Sequence, residues 1–179
     1  ISKKIKTKNG MILHSSGTKG KDALSNHLNF GVFYPLQTFS FNKKIDFTKT
    51  PILIEGNSQK SLEKLKELCR ILEVEFEEVD SKKRLHYHLA ASFANNFTNH
   101  ILSLTDELVN KFKLEKKFFI PIANETFKKF QSNKSKESQT GPAVRNDLKT
   151  LKKHEEILKK SNYLNLYKII TKSIKKNDL

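Results

Sequence analysis

The order of elements in this chain is decided by residues 51–79, which read PILIEGNSQKSLEKLKELCRILEVEFEEV. The apolar run at 51–56 is typical of a buried strand, and Ser58 is placed to cap the helix that follows. That helix carries leucines and Cys69 at steps of three and four, which indicates one buried face. Residues 74–79 alternate in part and predict a second strand. Strand, helix and strand in this order predict an α/β arrangement with parallel pairing.

Two further segments upstream have the character of strands. Residues 11–13 are apolar, and residues 31–34 lead into Pro35, which fixes the backbone and removes a donor. Residues 21–28, between them, predict a short helix. The loop after the first strand is made of small polar residues and glycine, namely His14, Ser15, Ser16 and Gly17. Open α/β sheets place their ligand-binding loops at this end of a strand.

The character of the sequence changes at Asp80, beyond which no stretch predicts a strand. Residues 82–112 predict a long helix, and further helices are predicted at 117–130, 148–160 and 163–175. We therefore divide the chain into an α/β piece, residues 1–79, and an all-helical piece, residues 80–179.

The long predicted helix has two distinct faces. Apolar side chains at steps of three and four form a stripe that we expect to be buried: Leu85, Leu89, Phe93, Phe97, Ile101, Leu104 and Leu108. Polar side chains gather on a second face: Arg84, His88, Ser92, Asn95 and Asn99, with Asn96 beside them. Other exposed faces of the chain consist of lysine and glutamate. The polar face is therefore either a solvated surface or the wall of a site, and the pattern alone leaves both open.

The net charge of +15 invites a nucleic-acid hypothesis. Only three of the 34 basic residues are arginines, Arg70, Arg84 and Arg145, although arginine is favoured for phosphate and base recognition. The lysines are spread along the chain, and no predicted strand interleaves basic with aromatic side chains. A lysine-rich composition explains the charge as well as a ligand does, so a nucleic-acid binder is the less favoured alternative.

Composition limits several other classes. No apolar run approaches the roughly 20 residues that span a bilayer. Cys69 is the single cysteine, which excludes an internal disulfide and a cysteine zinc cage and favours the reducing cytoplasm. The sequence holds no His-Glu-x-x-His, calcium loop or Cys/His cluster, so we expect no metal. It also lacks a glycine-rich phosphate loop of the dinucleotide or P-loop type.

A second candidate site lies at Thr140-Gly-Pro-Ala-Val-Arg145-Asn-Asp147. Gly-Pro predicts a fixed turn, and Asp147 is placed to cap the helix behind it. One interpretation is a helix-entry turn with an Arg–Asp surface pair. The other is a guanidinium that binds an anionic ligand or locks two domains together. His154, two turns further along the helix, can belong to a core or to a site.

Four motifs taken together resemble one family: His14-Ser-Ser-Gly17, Tyr34-Pro-Leu-Gln-Thr-Phe-Ser40, Tyr87-His-x-Ala-Ala-x-x-x-x-Asn96-Phe97, and Thr140-Gly-Pro-x-x-Arg145-x-Asp147 with His154. It is a family of candidate NADP-dependent oxidoreductases with a Rossmann-like N-terminal domain and a C-terminal helical domain of unknown function. That helical domain is similar to those of pyrroline-5-carboxylate reductase and 6-phosphogluconate dehydrogenase. The motifs occur in the family's order and span most of the chain.

The sequence departs from the family in three places. The family's dinucleotide fingerprint would precede Ile1, so residues 1–79 would be the later strands of the Rossmann-like domain and the chain a fragment with an incomplete cofactor site. Tyr34 stands where many relatives carry His, which leaves a proton-donor role there open. Asn146 stands where many carry Gly, which suggests a different turn.

The resemblance implies an NAD(P)-dependent oxidoreductase that transfers hydride between nicotinamide and a small carbonyl or imine substrate. The implied catalytic residues are His88, Asn96 and His14. The implied cofactor-binding residues are Ser15, Ser16 and Gly17. The implied substrate-binding residues are Gln37, Thr38, Ser92, Arg145 and Asp147. The cofactor is expected to be NADP or NAD, and the helical domain is expected to form a homodimer. A non-catalytic ligand-binding or scaffold protein on the same fold is the alternative.

Overall fold

The computed structural model describes residues 5, 7, 10–40, 44–132 and 135–176. Internal contacts divide the chain into two compact units, Ile1–Leu108 and Val109–Leu179. The predicted division into 1–79 and 80–179 follows the change from strands to helices instead, and it stays a prediction about domains.

The first unit is built on a four-stranded sheet in the order β1 (Ile12–His14), β2 (Phe30–Pro35), β3 (Ile52–Gly56) and β4 (Phe76–Glu78). β1 runs parallel to β2, and β3 runs parallel to β4 as predicted. β2 and β3 are antiparallel, whereas the sequence predicted a parallel sheet. A parallel pair needs a long crossover, usually helical. The described part of the β2–β3 connection contains only the 3-10 turn Phe47–Lys49, so the chain returns in the opposite direction.

The core lies between the sheet and α1 (Gln59–Ile71). The Ser58 hydroxyl accepts the Ser61 N–H at 3.2 Å and caps the helix, as predicted. The buried apolar cluster comprises Ile52, Ile54, Leu62, Leu65, Cys69 and Val74. Each of the larger members contributes about 1.5–3 kcal/mol of transfer free energy. Cys69 is fully buried and is a core thiol, also as predicted.

A long helical segment follows β4 and confirms the helix predicted at 82–112. It consists of α2 (Ser81–Ala91), a π-helical turn (Ser92–Phe97) and α3 (Thr98–Lys111). The carboxylate of Asp80 caps α2 by accepting the Lys83 N–H at 2.6 Å. The π turn departs from 3.6 residues per turn, so residues beyond it rotate away from the faces predicted by a regular helix.

The apolar stripe of this helix is exposed, and the prediction that it is buried was wrong. Five of its seven members are exposed, from 40% at Ile101 to 62% at Phe93. The helix turns Arg84, which is fully buried, toward the sheet instead. An amphipathic pattern indicates a face that avoids water, but it does not identify what covers that face.

The second unit contains α4 (Ile120–Gln131), α5 (Leu148–Leu158) and α6 (Leu164–Lys176). Pro121 lies in the first turn of α4, where its missing N–H costs nothing. No described residue after Asp80 is in a strand, and the α/β-then-helical architecture is confirmed. Among the described helices, none has both the length and the apolar character needed to cross a membrane. The helix predicted at 21–28 is a single 3-10 turn, Lys21–Leu24.

Candidate functional site

The loop that follows β1 is closed on itself by hydrogen bonds. Nδ1 of His14 accepts the Ser16 N–H at 3.2 Å, and Nε2 of His14 lies 3.2 Å from the Gly20 carbonyl oxygen. A carbonyl oxygen only accepts, so Nε2 carries the proton. The Ser16 hydroxyl in turn accepts the Lys19 N–H at 3.1 Å. The loop is therefore held in one shape by its own side chains.

His14 has both ring nitrogens engaged and is held neutral. Burial lowers its pKa, and the positive charge of Arg84 lowers it further, against the opposing effect of the bond to Gly20. A neutral imidazole without a free nitrogen is suited to holding the loop. This geometry does not favour proton donation by His14, and the catalytic role implied for it stays a prediction.

Arg84 of α2 lies beneath this loop and binds it from inside. Its Nε donates to the Ser16 carbonyl at 3.2 Å, and one terminal nitrogen donates to the Lys19 carbonyl at 2.6 Å. The other terminal nitrogen donates to the carboxylate of Glu55. The guanidinium is completely buried. One residue of the predicted polar face thus connects the helix, the loop and β3 rather than facing a ligand.

Glu55 belongs to the cluster, and the sequence interpretation did not single it out. Its carboxylate accepts hydrogen bonds from Arg84, from Lys21 Nζ at 3.0 Å and from Ser81 Oγ at 2.9 Å. Burial alone would raise the pKa of the Glu55 carboxyl, but these hydrogen bonds outweigh it and place the pKa below its ordinary value. A carboxylate inside the apolar run of β3 is the available signal, because a buried charge requires a partner.

His88 lies one turn after Arg84 on α2 and contacts β2. Its Nδ1 is 3.1 Å from the Tyr34 hydroxyl, and the two rings meet edge to face with centroids 6.1 Å apart. Both residues are half-buried. A Cβ atom at Gly17 would lie 2.6 Å from His88 Nδ1, so only glycine admits the ring at this position.

The structure thus assembles one cluster at the carboxyl ends of β1 and β2. It brings together four of the predicted site residues with three that were not predicted as site residues: His14, Ser16, Gly17, His88, Tyr34, Glu55 and Arg84. This edge is where open α/β sheets bind ligands. The cluster lies entirely within the first unit.

Other predicted residues surround the cluster without joining it. Ser92 is half-buried, and its hydroxyl donates to the His88 carbonyl at 3.1 Å. Asn96 is exposed on the π turn. Gln37 and Thr38 are exposed, and the Gln37 side chain accepts the Thr38 N–H at 2.9 Å. These side chains are accessible, and their assignment to a substrate stays a prediction.

In the second unit, the 140–147 segment forms the entry turn of α5. Gly141 and Asn146 adopt positive φ angles of 110° and 52°. Asparagine tolerates this left-handed conformation, as glycine does, and the different turn expected at Asn146 stays a prediction. The Asp147 carboxylate accepts hydrogen bonds from the Thr150 N–H at 3.0 Å and from the Thr150 hydroxyl at 2.7 Å. These bonds cap α5 and lower the pKa of Asp147. Arg145 is exposed.

His154 is also exposed, on α5, and its Nδ1 lies 2.9 Å from the Tyr167 hydroxyl of α6. It belongs to the surface of the second unit rather than to a core. Within the part of the chain that the structure describes, no three His, Cys, Asp or Glu side chains are grouped to hold a metal ion.

Comparison with known proteins assigns the chain to a family. The model for a domain of unknown function, DUF2520, matches residues 50–174. A candidate NADP oxidoreductase from Bacteroides fragilis is 34% identical, with a TM-score of 0.86 over 93% of this chain and 65% of that protein. The Thermotoga maritima protein TM1727 shares the fold at 21% identity, with a TM-score of 0.72 over 93% of this chain and 68% of its own. No curated protein matches the chain.

Proposed function

This chain belongs to the DUF2520 family, and we propose that it is part of an NADP-dependent oxidoreductase. The similarity to the Bacteroides fragilis protein supports the class, although the chain spans only 65% of that protein's length. The observation that carries the proposal is the cluster of the His14–Gly17 loop, Tyr34 and His88 at the carboxyl edge of the sheet. A Rossmann-like domain binds its cofactor at this edge.

The loop after β1 fits one side of a dinucleotide. Ser15 and Lys19 are exposed on it and can offer a hydroxyl and an ammonium group to the cofactor. Ser16 is occupied within the loop, and Gly17 is buried against His88. Their part in cofactor binding is therefore to shape the loop. The sequence contains no glycine-rich phosphate loop, so the chain by itself supplies an incomplete cofactor site.

The reaction proposed is hydride transfer between nicotinamide and a small carbonyl or imine substrate. The bound cofactor, NADP or NAD, supplies the hydride chemistry, and the protein orients the substrate and exchanges a proton with it. We assign the proton exchange to His88, with Asn96 and Ser92 facing the substrate. Gln37 and Thr38 complete the pocket. In the second unit, the exposed guanidinium of Arg145 is assigned to an anionic group, and Asp147 orders the turn that carries it.

We further propose that residues 1–79 are the later part of the Rossmann-like domain and residues 80–179 a helical substrate and dimerisation domain. A second copy of the chain would cover the exposed apolar stripe of the long helix, where Leu89, Phe93 and Phe97 are each more than half exposed. Removing such side chains from water contributes about 25 cal/mol per Å². The buried, reduced Cys69 is consistent with a cytoplasmic location.

Calorimetric titration of the complete gene product with NADPH and with NADH tests the cofactor class. We expect saturable binding of one or both nucleotides, with a dissociation constant between roughly 1 μM and 1 mM, the usual range for enzyme ligands. His88→Ala should retain this binding and lose turnover once a substrate is found. Absence of heat with both nucleotides would remove the proposal and leave a ligand-binding or scaffold role on the same fold.

A further inference from the structure

The contact between Tyr34 and His88 leads to an inference that rests on the proposed function and deepens it. Tyr34 is the penultimate residue of β2, and its hydroxyl lies 3.1 Å from Nδ1 of His88. The rings are inclined at 70°, so the phenol is directed at the edge of the imidazole. The hydroxyl therefore engages one defined nitrogen of the two.

The position of His88 is fixed by its surroundings as well as by Tyr34. The backbone of Gly17 lies so close to the ring that an added Cβ would approach Nδ1 to 2.6 Å. Arg84, four residues earlier on the same helix, is anchored to Glu55 and to the loop carbonyls. The helix, the loop and the strand that surround the ring are thus tied together.

His88 differs from His14 in one respect that matters for chemistry. Both nitrogens of His14 are bonded within its loop. For His88, the contact to Tyr34 occupies Nδ1, and no described residue hydrogen-bonds to Nε2. Within this cluster, His88 is therefore the imidazole that keeps a nitrogen for a ligand.

We propose that Tyr34 is a positioning residue for His88, and that it holds Nδ1 so that Nε2 is the atom that exchanges a proton with the substrate. In the reducing direction, the Nε2 proton of the imidazolium bonds to the carbonyl oxygen or imine nitrogen and leaves a neutral imidazole. A reduced nicotinamide, when bound, would supply the hydride whose electron pair forms the new C–H bond. The phenol accepts from Nδ1–H before and after the transfer, so the proton is exchanged through Nε2 alone.

The chemistry of Tyr34 suits orientation better than acid catalysis. Burial raises its pKa, so the phenol keeps its proton at neutral pH. The tyrosine therefore acts on His88 through a hydrogen bond rather than as an acid.

Nitrogen-15 NMR of the histidine rings tests the proposal without cofactor or substrate. In the wild-type chain we expect neutral His88 to be one tautomer, with the proton on Nδ1, because the phenol oxygen accepts from Nδ1–H. Tyr34→Phe should show both tautomers of His88 at an unchanged fold. Tyr87→Phe is the matched control, since its hydroxyl binds Glu77 rather than the adjacent His88. It should leave the single tautomer intact.

A wild-type His88 that populates both tautomers, or a Tyr34→Phe variant with the wild-type tautomer, would overturn the proposal. If Tyr34→Phe fails to fold, the wild-type spectrum decides, because the proposal requires a single Nδ1–H form there. The outcome is separable from the proposed function. Failure to bind NADPH would remove the oxidoreductase assignment and leave the tautomer unchanged, whereas a mixed tautomer would leave cofactor binding unaffected.

Discussion

Arg84 and Glu55 form a buried ion pair that joins the long helix to the central strand β3. The Arg84 side chain is fully buried, and the Glu55 side chain is 7% exposed. Each also binds further groups, the carboxylate through Lys21 and Ser81 and the guanidinium through the carbonyls of Ser16 and Lys19. This pair supports the loop and the histidine above it.

Arg84→Met should destabilise the fold by about 3–5 kcal/mol, because it leaves the Glu55 carboxylate buried with fewer partners. Urea unfolding monitored by circular dichroism measures the loss. Lys49→Met is the control, since its ion pair with Asp46 is exposed and its removal should have little effect. A loss for Arg84→Met no larger than that of the control would contradict the structural role assigned to the pair.

The free energy of unfolding should fall in acid because the Glu55 carboxylate becomes protonated. The pKa of Glu55 is lower in the folded chain than its ordinary value of 4.5, so its contribution is present above that value and is lost as the pH falls through the folded pKa. The difference in unfolding free energy between the wild type and Glu55→Gln should therefore be largest at neutral pH and shrink in acid. A difference in unfolding free energy that does not change with pH would show that the Glu55 carboxylate does not cause the loss of stability in acid.

Gly17→Ala should displace the His88 ring, since the new methyl group would lie 2.6 Å from Nδ1 and 2.8 Å from Cγ. We expect loss of the Tyr34 contact in a crystal structure of the variant. Gly20→Ala tests the same loop without this clash, because a Cβ there meets only Ser81 Oγ at 3.6 Å. If His88 keeps its position in the Gly17→Ala variant, the loop has moved instead of the ring.

Phe93→Asp should convert a dimer to a monomer if a second copy covers the apolar stripe. A carboxylate placed in an apolar interface costs several kcal/mol unless it finds a charged partner. Light scattering after size exclusion gives the molar mass. Leu28→Asp, at a position that is 85% exposed outside the stripe, should leave the mass unchanged. A wild type that is monomeric at high concentration would rule out the dimer.

The sequence alone predicted the elements whose signals lie within a few neighbouring residues. β3, the cap at Ser58 and α1 were all predicted, because an apolar run, a capping hydroxyl and a helical repeat are read within a few residues. The loop at His14 was predicted to be a site because of its place after a strand. In the structure, Gly17 of this loop lies against the ring of His88, a residue that belongs to another of the family motifs.

Features that depend on distant residues were not predicted. Glu55 and Arg84 are 29 positions apart, and neither residue alone indicates that they pair. The antiparallel pairing of β2 with β3 depends on how a long connection returns, which residue patterns do not specify. The exposed stripe was predicted as buried because periodicity reports a face and not its partner.

The assignment of His88 to the cofactor edge of the sheet is tested most directly by the histidine ring spectrum of the complete gene product as NADP⁺ is added. We expect saturable shifts of the His88 ring nitrogens, because His88 lies at this edge beside the β1 loop. His27, whose ring contacts Asn26 outside the cluster, should not shift. Binding of NADP⁺ without any change at His88, or no binding at all, would contradict it.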